Sequence, residues 1–202
     1  MILRNVSFYI SFFVWYKGIT SRRNLFKNED ILRCLLESIL KIKIKKLKYL
    51  NVEKINGNVY VRRKHFDFHV KTGTENIHVE ANGILKDYTR PRNMAFLCNT
   101  YSRDVLSSKK YDEDTLFIQI NFTYNLPKKE KPIRIYRIQD DDKKNYVKNF
   151  VIYEFHMDYF VNLWYSKDEK EAKNFIYLMM MDLDLEKLKI LSNEDKVVKK
   201  YM

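Results

Sequence analysis

Two short runs of alternating apolar and polar residues, joined through a glycine, constrain this fold more than any other feature of the chain. Phe66, Phe68 and Val70 alternate with His65, Asp67 and His69, and Ile77 and Val79 alternate with His78, Glu80 and Asn82. A period of two is the pattern of half-buried strands, one face apolar and the other polar. Gly73-Thr74 supplies a two-residue turn, with Gly providing the positive φ that a type II′ turn needs at its first position. This register sets Asp67 opposite Glu80 and His69 opposite His78. Two carboxylates facing each other across neighbouring strands repel unless a cation or a proton lies between them. The pair therefore points to a hard cation. With His65, His69 and His78 on the same face, an imidazole-rich Zn²⁺ or Fe²⁺ site is a second arrangement those residues permit.

The rest of the chain reads as a mixed α/β (α+β) domain. It has 202 residues, 46% of them apolar and 15% aromatic, which excludes a disordered chain and suffices for one packed core. Asn28-Glu29-Asp30 caps a helix to about Leu40, with Ile31, Leu32, Leu35, Leu36, Ile39 and Leu40 at helical spacing and Glu37 beside them. Lys45 to Val52 alternates, and Asn56-Gly57 turns the chain into a strand from Val59 to Val70. A helix is expected over Thr89 to Leu106, with Pro91 in its first turn and Met94, Leu97, Cys98, Tyr101 and Val105 as the buried stripe. Leu116 to Tyr124 has the composition of a central strand, and Ile133 to Ile138 and Val151 to Phe155 follow as short strands. Helices are expected at about Asp168 to Met181 and Leu185 to Leu191, with Met179-Met180-Met181 filling core space. The sum is a mixed sheet of about four to six strands flanked by helices.

Charge is unevenly distributed. The net charge is +12, and residues 1–64 hold 15 Lys and Arg against 4 Asp and Glu, so nearly all the excess is N-terminal. Such a concentration suits an anionic partner. The apolar run Val6 to Tyr16 is about half the ~20 residues that span a bilayer and lacks a small-x-small cleavage site after it. No membrane partner is expected, and a cytoplasmic location is. A peripheral membrane protein anchored by that run is the weakest of the readings kept. Cys34 and Cys98 are expected to be reduced, buried thiols.

In order, the chain offers a helix with Glu37, a strand with Asp67, a strand with Glu80-x-Asn82, a helix with Arg92 and Tyr101, and a strand with Gln119. This order resembles the PD-(D/E)xK nuclease superfamily over about residues 20–165. Leu35-Leu36-Glu37-Ser38-Ile39-Leu40, Val61-Arg62-Arg63-Lys64, Ile77-His78-Val79-Glu80, Arg92-Asn93 and Phe117-Ile118-Gln119-Ile120-Asn121 look like the nuclease-family transposases related to recombination-promoting nucleases.

The resemblance implies a restriction-endonuclease-like core and metal-dependent cleavage of DNA, with no organic cofactor. Asp67 and Glu80 match the two carboxylates that hold Mg²⁺ (or Mn²⁺), and Glu37 matches an acid that some members add from the first helix. Oxygen ligands suit such a hard cation, which polarises the phosphoryl oxygen and lowers the pKa of a bound water. Asn82 stands where the superfamily has a catalytic Lys; it hydrogen-bonds but carries no charge. Arg62, Arg63, Lys64, Arg92 and Gln119 are the candidate DNA contacts. Relatives that make double-strand breaks often form homodimers. Residues 1–19 form an atypical apolar segment, and 166–202 form C-terminal helices shorter than those of relatives. An inactive nuclease-like module that binds nucleic acid or protein, from a truncated mobile-element gene, is accordingly the alternative function.

Overall fold

A computed structural model describes residues 28–49, 68–72, 75–107, 116–126, 131–165, 174–180, 183 and 185–201. It is a mixed α+β protein of two compact units. One comprises 44–157; the other combines 1–43 with 158–202.

The unit of 44–157 is built on a six-stranded mixed sheet. Its strands are β1 (Lys48–Tyr49), β2 (Phe68–Lys71), β3 (Glu75–Ile84), β4 (Leu116–Tyr124), β5 (Ile133–Arg137) and β6 (Phe150–His156), in spatial order β1-β2-β3-β4-β6-β5. The three inner strands β3, β4 and β6 are parallel, while β1, β2 and β5 add antiparallel at the edges. A parallel neighbour requires a crossover, and helix α2 (Thr89–Ser107) supplies it between β3 and β4. From Phe117 to Tyr124 every residue of β4 is buried, as its apolar run leads one to expect of a central strand.

The two faces of that strand differ. Ile118, Ile120, Phe122 and Tyr124 make one of them, where Phe122 meets Phe155 at 5.8 Å. The other carries Phe117, Gln119, Asn121 and Thr123, and α2 covers its start. Leu97, Phe117 and Phe150 form a cluster there, with Tyr101 edge-on to Phe117 at 4.9 Å and to Phe150 at 5.7 Å. Edge-to-face pairs of this kind add about 0.5–1.5 kcal/mol each beyond area burial.

The stripe expected on α2 is rotated. Thr89, Asn93, Leu97 and Thr100 are its buried residues among those described, at i, i+4, i+8 and i+11, Met94 and Tyr101 are half-buried, and Cys98 is exposed. The side chain of Val105 lies outside the described residues. Counting only apolar residues misplaces the face because the sheet beneath α2 presents a polar row, and Asn93 is buried to meet it. Cys98 is thus a surface thiol and Cys34 a half-buried one; both are free. Of the alternation expected from Lys45 to Val52, residues 50–52 lie outside the described residues; before them the strand period is confined to Lys48–Tyr49, since the buried Ile44 and Leu47 are three residues apart. The Asn56-Gly57 turn and the run Val6 to Tyr16 lie outside the described residues.

In the other unit, α1 (Glu29–Leu40) starts as expected. Asn28 accepts the amide N–H groups of Asp30 and Ile31 on its Oδ1 at 3.1 and 3.2 Å, and Glu29 and Asp30 favour the positive end of the helix dipole. Ile31, Leu32, Leu35 and Leu36 are fully buried; Ile39 and Leu40 are only half so. Lys41 ends the helix in the left-handed region at φ 57°, its N–H donating to the Glu37 carbonyl. Helix α3 (Met157–Leu163), which runs across the boundary between the units, and α6 (Lys196–Tyr201) were not expected from periodicity; six or seven residues are too few to show it. Asp195 signals α6 locally, accepting from the N–H groups of Val197 and Val198. Between α3 and α6 lie α4 (Ile176–Met179) and α5 (Leu185–Ser192). Met179 and Met180 are buried, as core-filling methionines should be. Among the described residues no helix is long and apolar enough to cross a membrane.

Candidate functional site

Strands β2 and β3 pair antiparallel with Phe68 opposite Val79, His69 opposite His78 and Val70 opposite Ile77, the register expected for this hairpin. Val70, Ile77 and Val79 are fully buried, so the apolar face does set the register, since a one-residue slip would turn all of them outward. Asp67, with Arg62, Arg63, Lys64 and His65, lies outside the described residues. Glu80 and Asn82 stand in β3, where Glu80 pairs in register with Asn121 of the parallel strand β4.

The ladder then shifts: Ala81 pairs with Phe122, but Ile84 pairs with Tyr124, so β3 spends one extra residue at Asn82-Gly83. Such a bulge bends the strand and re-aims the chain, and bulges concentrate beside functional sites. Alternation alone gave no sign of it, although a glycine inside a strand pattern is its usual mark. Glu37 belongs to the unit containing α1, where it is largely buried at 21% exposure and meets Lys43 Nζ at 3.4 Å.

Beside Glu80 the sheet carries a buried polar seam. Arg92 donates from Nε and Nη2 to Asn93 Oδ1 at 3.2 and 3.0 Å; Asn93 Nδ2 donates to Asn121 Oδ1 at 3.1 Å; Gln119 Nε2 donates to that same oxygen at 3.0 Å. A guanidinium can only donate, so it fixes the orientation of every amide after it. Asn93 must turn its oxygen to Arg92, Asn121 must turn its oxygen to Asn93, and Gln119 is left with a buried Oε1 that has no hydrogen-bond partner. Thr123 Oγ1, further along the same strand face, is likewise buried without one. The structure therefore joins Arg92 and Gln119, expected as site residues, through Asn93 and Asn121, which were not.

One register level holds a second group. Glu154 of β6 pairs with Asn121 on one side and Arg134 of β5 on the other. Its carboxylate is 3% exposed and accepts from Arg90 Nε at 3.3 Å, Arg90 Nη2 at 2.8 Å and Tyr136 Oη at 3.0 Å. These hydrogen bonds raise the Arg90 pKa above its ordinary value against the opposing effect of desolvation. Between this ion pair and the seam opens a cleft of about 390 Å³, floored by Met94, Phe150 and Ile152. Sequence reading missed Arg90, Glu154 and the cleft. The polar row Gln119, Asn121, Thr123 was the available signal, since a strand buried on both faces must bury that row too.

Among the described residues no group of three or more His, Cys, Asp and Glu could hold a metal. The donors near the hairpin's end are of a kind that a hard cation accepts: the sequence offers Asp67 and Glu80 carboxylates, and Gln119 Oε1 is an orphaned buried oxygen one strand away. Asn121 Oδ1 already accepts two hydrogen bonds and is a poor candidate ligand. Comparisons of the chain with protein-family models, with curated proteins and with solved structures find no match.

Proposed function

We propose that this protein is a metal-dependent DNA endonuclease of the recombination or transposition type, with a restriction-endonuclease-like core. The carrying observation is the Arg92–Asn93–Asn121–Gln119 seam in register with Glu80, because burying the three amide side chains of Asn93, Asn121 and Gln119 between helix and sheet is costly unless the place has a use. The order of helix, antiparallel hairpin, crossover helix and parallel strand is also that of the resemblance drawn from the sequence.

In this reading Asp67 and Glu80 hold Mg²⁺ or Mn²⁺, which supplies a polarised phosphoryl oxygen and an activated water. Asn82, at the bulge, orients that water by hydrogen bonding without adding charge. DNA backbone is gripped by basic residues: Lys41, Lys43, Lys45, Lys46 and Lys48 are all exposed within eight positions, and Arg62, Arg63 and Lys64 follow in the sequence. Such contacts read no bases, and five of them would give log affinity against log salt a slope of roughly −4. Cleavage of both strands would call for a homodimer.

Incubation with supercoiled plasmid in Mg²⁺ or Mn²⁺ at low salt tests this. The parent protein should nick or linearise the plasmid while Asp67→Ala and Glu80→Gln proteins do not. Absence of cleavage by the parent in either metal would leave the inactive nucleic-acid- or protein-binding module as the better account.

A further inference from the structure

The cleft between α2, β4, β5 and β6 has a chemistry of its own. At about 390 Å³ it lies near the lower end of the ~300–1,000 Å³ typical of small-molecule sites, room for one nucleotide-sized group. Its floor of Met94, Phe150 and Ile152, closed at the rim by Ile138, suits a flat aromatic body. Along one wall the groups are polar and fixed in direction. Because Arg92 commits the amides of Asn93 and Asn121, the Nδ2 of Asn121 is left as a donor with no acceptor among the described residues. Glu154 and Tyr136 stand opposite with acceptor oxygens.

The mouth is cationic. Arg137 is exposed and makes no ion pair among the described residues, Arg90 binds Glu154 through Nε and Nη2 and makes no hydrogen bond from Nη1 among those residues, and the first turn of α2 has no acidic residue to offset its positive end. A nucleotide meets these demands, being a flat group with donor and acceptor edges attached to an anion.

We propose that this cleft takes one unstacked nucleotide of a single-stranded DNA segment, with the base against Met94, Phe150 and Ile152 and the phosphate at Arg137. The assignment rests on the nucleic-acid reading above and extends it. Asn121 is the in-register neighbour of Glu80, and adjacent strands are about 4.8 Å apart, so the held nucleotide lies next to the hairpin.

The test is equilibrium binding, in EDTA, of fluorescent deoxythymidine decamer against an abasic decamer of the same length and charge. Parent protein should prefer the decamer with bases by about tenfold or more, the size of one base contact on an aromatic-lined surface. Ile138→Trp, which fills the cleft from its exposed rim, should bring that ratio close to one and leave abasic binding unchanged; Arg137→Ala should weaken both decamers alike. A ratio near one in the parent, or a preference that survives Ile138→Trp in a protein of unchanged Tm, overturns the assignment. Thymidine monophosphate competing as well as the decamer would also overturn it, in favour of a free nucleotide. Plasmid cleavage without base-dependent binding removes the cleft proposal alone. Base-dependent binding without cleavage removes the endonuclease activity and leaves the cleft in place.

Discussion

Replacing Asn121 by Leu isolates what the buried seam contributes. The side chain is 4% exposed, and its Oδ1 accepts from both Asn93 Nδ2 and Gln119 Nε2. Leu has nearly the same size but no acceptor, so two donors are orphaned inside the sheet, each costing about 1–3 kcal/mol. Burying the new isobutyl group returns about 1.5–3 kcal/mol, which leaves a net loss of about 0.5–3 kcal/mol. Urea unfolding followed by circular dichroism should show a lower midpoint at unchanged slope. The informative comparison is the double variant with Gln119→Leu, which removes one of the orphaned donors along with its own unpartnered Oε1. The pair should then be less destabilising than the sum of its parts by about 1–2 kcal/mol. Additivity within about 0.5 kcal/mol would refute the directional relay, since it would mean that Gln119 does not depend on Asn121 for its hydrogen bond.

Two further measurements follow from the geometry. Arg90→Met strips the cation from the buried Glu154 carboxylate while Tyr136 remains, and should cost about 2 kcal/mol, discounted because the guanidinium is 46% exposed. A raised arginine pKa adds stability that is complete below the unfolded value and lost only as pH climbs through the folded one, so the Arg90 contribution to this loss should stay constant from pH 6 to 9; a fall within that window in urea-unfolding data would contradict the assignment. Native protein should react with Ellman's reagent at Cys98 at once and at Cys34 more slowly, and equal slow labelling of both would argue against the rotated face of α2.

Local signals accounted for much of the fold. The asparagine cap and apolar stripe of α1, the period-two alternation around Val70, Ile77 and Val79, and the doubly buried run of β4 are all properties of short segments, because helix caps and strand pleats depend on neighbours a few residues away. The hydrophobic pattern determined the register that sets His69 opposite His78, while the expected Gly73-Thr74 turn lies outside the described residues.

What the chain could not declare locally depended on residues distant in sequence. Glu154 lies 64 positions from Arg90, and Asn93 lies 28 from Asn121; only the crossover of α2 and the parallel pairing of β4 with β6 bring them together. The buried face of α2 turned for the same reason. Polar Asn93 and Thr100 are inside because the strands beneath them include a polar row, and a helix read by itself records its own hydrophobicity but not what it will be packed against. Composition and period thus determined the longer helices and strands and which way the hairpin pairs, while the tertiary structure decided which polar side chains share one buried level of the sheet, since hydrogen bonds between distant segments exist only once the sheet is assembled.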